Sequence, residues 1–370
     1  MARGRRDGIL IAGGGLAGSL AALAMARHRP EVPILLVEER ETFGGDGYRL
    51  FADAELSKEG SALVAPLAID RWPGAYLAFP GLARKLKGEL AGFAAEDLHR
   101  AVTQALDPKS YRLGTKVVAV REDALVLDGG ETIKAEGAID ARGAANLSTL
   151  ALLHQTRLER DYRFPAPHRV DRPVLIDATM SDGGGLRYFE CIPLSEVRLL
   201  VAEVAISERV QPDEEAGKRI AAYVKARGWA RPRASGERSV TRPLPFGGDF
   251  AAFWRLGGAR AAKLGLRGGF VHPFTGREIG DAAETALLLA SQRDFSGNAL
   301  HDLFEDEARQ MWKEREFVRS VTRTLAEAGP EDRRALLERL YRLDQDRLRQ
   351  LQTGDPGLID RWRIRKALRG

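Results

Sequence analysis

An α/β fold is predicted by three features of this sequence. An apolar run, Ile9-Leu10-Ile11-Ala12, leads straight into a glycine turn and then into a segment rich in alanine and leucine. A second apolar run, Ile34-Leu35-Leu36-Val37, ends on an acid, Glu38, twenty residues after Gly18. Between about residues 172 and 246 apolar and polar residues alternate, as antiparallel strands require, and charged amphipathic stretches follow toward the C-terminus.

The first two features read as a strand, a turn, a helix and a second strand. Gly13-Gly14-Gly15-Leu16-Ala17-Gly18 is G-x-G-x-x-G. Gly13 allows the tight turn, Gly15 lets backbone approach a pyrophosphate, and Gly18 lets helix and strand pack closely. Leu16 and Ala17 open the helix, whose N-terminal N–H groups face the diphosphate. Glu38 stands where an acidic side chain accepts hydrogen bonds from a ribose. The pattern predicts a Rossmann-type dinucleotide site; the alternative is a glycine-rich turn in some other α/β protein. Arg3, Arg5 and Arg6 ahead of an apolar stretch imitate a secretion signal, but Asp7 and the glycines interrupt it. No other run approaches the roughly 20 apolar residues that span a bilayer.

The 370 residues suffice for two interlocked domains, and 44% hydrophobic with 29% charged residues describes a soluble globular protein. A single cysteine, Cys191, excludes an intrachain disulfide and a cysteine-rich metal site. The six histidines show no metal-binding spacing, so no metal is expected. Net charge is +5, and the last ten residues contribute Arg361, Arg363, Arg365, Lys366 and Arg369 without an acid. Trp362, Ile364 and Leu368 are interspersed among them. That composition fits a solvated terminal helix as well as a tail lying on an anionic membrane. Nucleic acid is not an expected partner, because the rest of the chain is nearly balanced in charge.

The remaining elements follow in order. Phe43-Gly44-Gly45-Asp46-Gly47 is a loop, and 96–105 an amphipathic helix. Residues 115–130 form a hairpin meander. A strand then ends in the turn Asp140-Ala141-Arg142-Gly143 and rejoins the parallel sheet. Residues 187–194 and 198–204 alternate as strands, and 214–227 is a helix. A further glycine cluster, Gly265 to Gly276, precedes a helix over 281–291 and can set its N-terminus against a cofactor. His272 in this cluster is a candidate catalyst, beside its plainer reading as a packed or capping histidine. Residues 298–328 and 331–351 are helices of a C-terminal cap.

These segments together resemble the bacterial lycopene β-cyclases. The likeness runs almost end to end. It rests on GGGLAGSLAALA (Gly13 to Ala24), FGG (Phe43 to Gly45), APLAIDRWPGAYLAFPGLARKL (Ala65 to Leu86), IDARG (Ile139 to Gly143), RPVLIDATM (Arg172 to Met180), IPLSEVRLLV (Ile192 to Val201) and GLRGGFVHPFTG (Gly265 to Gly276). The resemblance implies a fold like that of p-hydroxybenzoate hydroxylase. A discontinuous FAD-binding domain would comprise 1–65, 88–155 and 255–297, a substrate domain 66–87 and 156–254, and a helical region 298–370. It further implies non-covalent FAD held by Gly13, Gly15, Leu16, Ala17, Gly18, Glu38, Gly44, Gly45, Asp140, Gly143, Gly268, Pro273, Thr275 and Gly276. NADPH is the implied reductant. The implied reaction is proton-initiated cyclisation of an acyclic polyene end group, supported by reduced flavin. A bilayer-dissolved substrate implies peripheral contact with the inner face of the cell membrane from the cytoplasm.

Several positions depart from the family pattern. An acidic pair, Glu-Asp, usually follows the Arg-Leu-Leu-hydrophobic run; here Ala202 and Glu203 stand there. Glu203 is therefore the candidate acid, with Glu190 and Glu278 next, and a half-exposed strand glutamate is its plainer reading. The loop after Gly45 usually reads Asn-His-Thr-Trp-Ser-Phe, but here runs Asp46-Gly47-Tyr48-Arg49-Leu50-Phe51. Arg277 and Glu278 replace the usual Tyr-Ser. These changes leave open a FAD- and NAD(P)H-dependent monooxygenase or reductase on the same fold, or a non-catalytic carrier.

Overall fold

The structure, a computed structural model, describes residues 7–67, 69–180, 185–210, 214–229, 232–257, 260–354 and 356–369. Arg3, Arg5 and Arg6 lie outside the described residues. The chain begins β1 (Ile9–Ala12), α1 (Leu16–His28), β2 (Ile34–Val37), β3 (Arg49–Ala52), α2 (Lys58–Val64), β4 (Asp70–Phe79), β5 (Leu82–Phe93), α3 (Ala95–Ala105) and β6 (Tyr111–Arg112). It continues β7 (Val117–Arg121), β8 (Ala124–Leu127), β9 (Thr132–Lys134), β10 (Gly137–Asp140), β11 (Leu150–Arg163), β12 (Val174–Asp177), β13 (Leu186–Ser195) and β14 (Arg198–Ser207). After α4 (Ala216–Ala226) come β15 (Arg233–Gly248), α5 (Phe250–Arg255), β16 (Ala262–Lys263) and α6 (Ile279–Ala290). The last helices are α7 (Gly297–Glu314), α8 (Glu316–Glu327), α9 (Pro330–Tyr341), α10 (Gln345–Thr353) and α11 (Leu358–Arg369).

The parallel sheet has the order β16-β10-β1-β2-β6. Its central strand is covered on both sides, which is why Ile9 to Ala12 is an unbroken apolar run. Ile9 and Ile11 pack with Leu20 of α1 and Ala286 of α6. Leu10 and Ala12 face Val117, Leu125 and Ile133 of the β7-β8-β9 meander. The second sheet runs β15-β11-β14-β13-β12-β4-β5-β3. It is antiparallel except where β12 lies parallel to β4. One of its faces packs on α8 to α11, through Leu153, Tyr188, Val204 and Leu244 against Phe317, Leu336, Leu348 and Ile364. Its other face packs on α4, through Leu199 and Val201 against Ile220, Tyr223 and Val224.

The strands depart from the expected boundaries. Positions 88 and 156 fall inside β5 and β11, and β3 joins the large sheet as its edge strand. Long strands thus pass from one unit into the other without a linker. The expected helix over 298–328 is broken at Arg315, and α7 belongs with the parallel sheet, where Leu300, Phe304 and Ala308 enter its core. The cap consists of α8 to α11.

Two glycines set the distance between α1 and the sheet. Gly13 has φ +98°, and a Cβ on Gly18 would lie 1.9 Å from the Gly13 carbonyl oxygen. The Gly18→Ala variant is expected to lose stability on the order of 1–3 kcal/mol, because the helix must move off the turn. Urea unfolding of the two proteins measures this; equal midpoints and slopes would refute it.

Candidate active site

A cleft runs along the C-terminal edge of the parallel sheet. Its walls include Gly13, Gly15, Leu16, Ala17, Glu38, Gly45, Gly143 and Gly265. A Cβ on Gly15 would meet nothing within 4 Å, so the turn faces open space there. Gly15 is the N-cap of α1, and the first N–H groups of that helix face the same space. Glu38 accepts hydrogen bonds from the N–H of Gly14 (2.6 Å) and of Arg40 (2.9 Å), which fixes its carboxylate at the end of β2. A glycine cradle, a helix N-terminus and an acid at the next strand form a fitting site for a dinucleotide.

Not every expected cofactor residue lines this cleft. Gly18 is spent on packing. Gly44 shapes the loop at φ +100°, tied to the glycine turn by its N–H on the Gly14 carbonyl (2.8 Å). Asp140 lies beneath, accepting bonds from Arg142 (2.7 and 2.9 Å) and paired with Arg267 (3.2 Å). It holds two cleft-lining arginines, and these charges keep its carboxyl below the ordinary range despite burial. Gly268 abuts the Phe270 ring, and the Pro273 carbonyl accepts a bond from Thr322 (3.0 Å); neither reaches the cleft. The lining of that region comes instead from Gly265, Leu266 and Arg267, one turn earlier in the same glycine cluster.

A second cavity opens between the large sheet and the cap. Apolar walls come from Leu153, Tyr188, Ile206, Leu244, Phe274, Leu325 and Leu337. Thr275 and Gly276 line this cavity rather than the cleft. The two spaces share Leu16, Arg49, Arg242 and Glu278, so they meet at that point. Arg242 pairs with Glu278 (2.8 Å), and Arg277 pairs with the buried Glu55. Burial raises the Glu55 carboxyl, opposed by Arg277. On the cavity wall, Arg157 is shared between Glu159 and Glu190, the latter at 2.8 Å. Those glutamates flank one residue in register: Ala202 pairs with Glu159 on one side and Glu190 on the other. Three neighbouring strands thus present a rung Glu-Ala-Glu on one face.

A family profile described as "Lycopene cyclase protein" matches residues 8–367. The chain belongs to the lycopene cyclase family. It is 29% identical to a lycopene β-cyclase of Pantoea ananas, over 96% of this chain and 93% of the relative. A lycopene β-cyclase of Pseudescherichia vulneris is 30% identical, over 97% of this chain and 93% of the relative. Among solved structures, a geranylgeranyl bacteriochlorophyll reductase-like protein of Thermoplasma acidophilum superposes with a TM-score of 0.65 at 13% identity, covering 99% of this chain and 96% of that one. The flavin-dependent brominase Bmp2 gives 0.59 at 13% identity, covering 98% of each chain. The fold is that of the FAD-dependent enzymes.

For a lycopene cyclase family member, two expected catalytic residues are displaced from the cavity. Glu203 lies on the α4 side of the sheet. Adjacent strand residues point to opposite faces, so Val204 and Ile206 share the cavity side while Val201 and Glu203 face α4. There Glu203 is bound by Arg187 (3.2 Å) and by Arg219 of α4 (2.9 and 3.0 Å). Two arginines on the carboxylate tie the sheet to α4, and Glu203 does not line the cavity. Its apolar sequence neighbours gave no sign of them, because the arginines come from another strand and a helix.

His272 is likewise a turn-forming residue. Its Nδ1 accepts from the N–H groups of Thr275 (3.2 Å) and Phe274 (3.4 Å), which places the ring proton on Nε2. Burial, reinforced by Arg315 and Arg277, holds its pKa well below 6.5. The folded protein keeps this ring neutral while the unfolded chain protonates near pH 6.5, so stability falls as pH drops below that value. His272→Gln is expected to remove a slope that grows from about 0.7 kcal/mol per pH unit at pH 6.5 toward about 1.4 near pH 5. Denaturant unfolding of both proteins across that range checks it; parallel pH profiles would refute it.

Proposed function

We propose that this protein cyclises the end group of an acyclic polyene such as lycopene, with Glu190 as the carboxyl that meets the substrate. The carrying observation is the rung Glu159-Ala202-Glu190 on the cavity-facing side of the sheet, of which Glu190 lines the cavity. Arg157 holds both glutamates, but only Glu190 lines the apolar cavity, so Glu190 is the carboxyl placed to meet the polyene end. The apolar walls exclude water from the cation that forms, and Glu190, once ionised, faces it as a counter-charge.

FAD is the proposed cofactor, held by Gly13, Gly15, Gly45, Gly143 and Glu38. When bound and reduced it supplies negative charge near the polyene end. NADPH as reductant is carried over from the family resemblance.

Peripheral membrane contact from the cytoplasm is part of this reading. Among the described residues, no helix is long and apolar enough to cross a membrane. Helix α11 buries Ile364 and Leu368 against the cap, yet leaves Leu358 82%, Ile359 70% and Trp362 61% exposed beside Arg363 and Lys366. Exposed apolar residues next to cations suit an anionic bilayer surface.

In a lycopene-accumulating host, Glu190→Gln is expected to lower ring formation on the order of 10²–10⁴-fold, while Glu203→Gln lowers stability and leaves turnover per folded molecule near normal. Pigment analysis with protein quantification decides between them. Lycopene left untouched by the parent protein, with NADPH consumed in step with another product, would favour a redox enzyme.

The tail is tested by point substitution, since truncation would also strip Ile364 and Leu368 from the core. Ile359→Glu with Trp362→Glu is expected to reduce binding to anionic liposomes at least tenfold without changing the melting temperature. Undiminished sedimentation with liposomes would remove α11 from the membrane reading.

A further inference from the structure

We infer that Arg49 is an anion-binding residue that grips the cofactor's diphosphate from the side of the cleft opposite the N-terminus of α1. This rests on the dinucleotide reading of the cleft and adds to it a residue outside the glycine motifs.

Arg49 stands on edge strand β3 and lines both the cleft and the cavity. Its Nη2 donates to the Gly44 carbonyl (3.3 Å), and its buried Nε has no partner. Among the described residues no carboxylate lies in ion-pair contact with it. The nearby acids are engaged elsewhere: Asp46 by Arg40 (2.6 and 2.7 Å), Glu278 by Arg242 (2.8 Å), and Glu190 by Arg157 (2.8 Å). Burial and the neighbouring Arg242 push its pKa down to about 10, which still leaves it charged at neutral pH. A half-buried cation with its Nε buried and no counter-ion is costly, and an arriving anion recovers that cost.

The position points to one anion. A Cβ on Gly45 would lie 3.5 Å from Arg49 Nη2 and 3.8 Å from the Gly15 Cα. Arg49 and the Gly13–Gly15 turn therefore face a shared space that no side chain fills. On one side stand helix N–H donors, on the other a planar fork of donors, and both suit phosphate oxygens. A carboxylate on a substrate in the adjoining cavity has the same chemistry, so the test separates the two sources.

The experiment compares the full-length parent with Arg49→Met, an apolar side chain of similar length, by flavin fluorescence titration. Arg49→Met is expected to weaken FAD binding about 10- to 100-fold, leave riboflavin binding unchanged, and flatten the dependence of FAD affinity on salt. The apo variant should melt no lower than the parent, since an uncompensated charge has been removed. Equal loss for FAD and riboflavin would mark Arg49 as structural and overturn the proposal. Unchanged FAD affinity, with loss of retinoate but not retinol binding in the FAD-loaded protein, would assign Arg49 to a substrate carboxylate and overturn it. A parent protein that binds neither flavin overturns the dinucleotide reading itself.

Discussion

The close approach of helix α1 to the parallel sheet governs the rest of the molecule. A residue with φ +98° at Gly13 and bare backbone at Gly18 bring the helix start onto the turn. That contact points the free N–H groups of α1 into the cleft. The N–H of Gly14 then holds Glu38, and the carbonyl of Gly14 holds the loop that carries Gly45 and Arg49. A local backbone constraint of a few residues thereby fixes positions on three separate elements.

The large sheet supplies the complementary constraint, a division of labour between its faces. The face toward the cap combines apolar walls with the Glu159, Arg157 and Glu190 cluster. The face toward α4 contains Asp177, bound by Tyr223 (2.7 Å) and paired with Arg227, together with Glu203 and its two arginines. Buried charge on that side ties a helix to the sheet. A carboxylate's burial alone therefore does not distinguish chemistry from anchorage here; the face does.

The glycine-lined cleft was legible because its signals are local. Glycines at fixed spacing, a strand before and an acid after require only neighbouring residues to interpret. The meander was legible for the same reason, as was the helical character of the C-terminal region, but not that α7 packs on the parallel sheet. Strand order was not: β12 lies parallel to β4, and β3 crosses to the edge of the large sheet, pairings set by contacts distant in sequence. The same limit explains the catalytic residues. Alternation shows that Ala202 and Glu203 face opposite ways, but only the packed sheet shows which way the cavity lies. His272 sat in the right turn, but its ring satisfies that turn's own N–H groups.

The rung formed by Glu159, Ala202 and Glu190 has a consequence for how such chains are compared. Residues side by side on a ladder share a face and sit about 5 Å apart. A functional group can pass from one strand to the next by two point substitutions, with the backbone unmoved. On the reading proposed for Glu190, an alignment column reports a lost acid at Ala202 while the carboxyl stands in a column a dozen residues away. Comparing relatives rung by rung would recognise migration where column-wise comparison records decay.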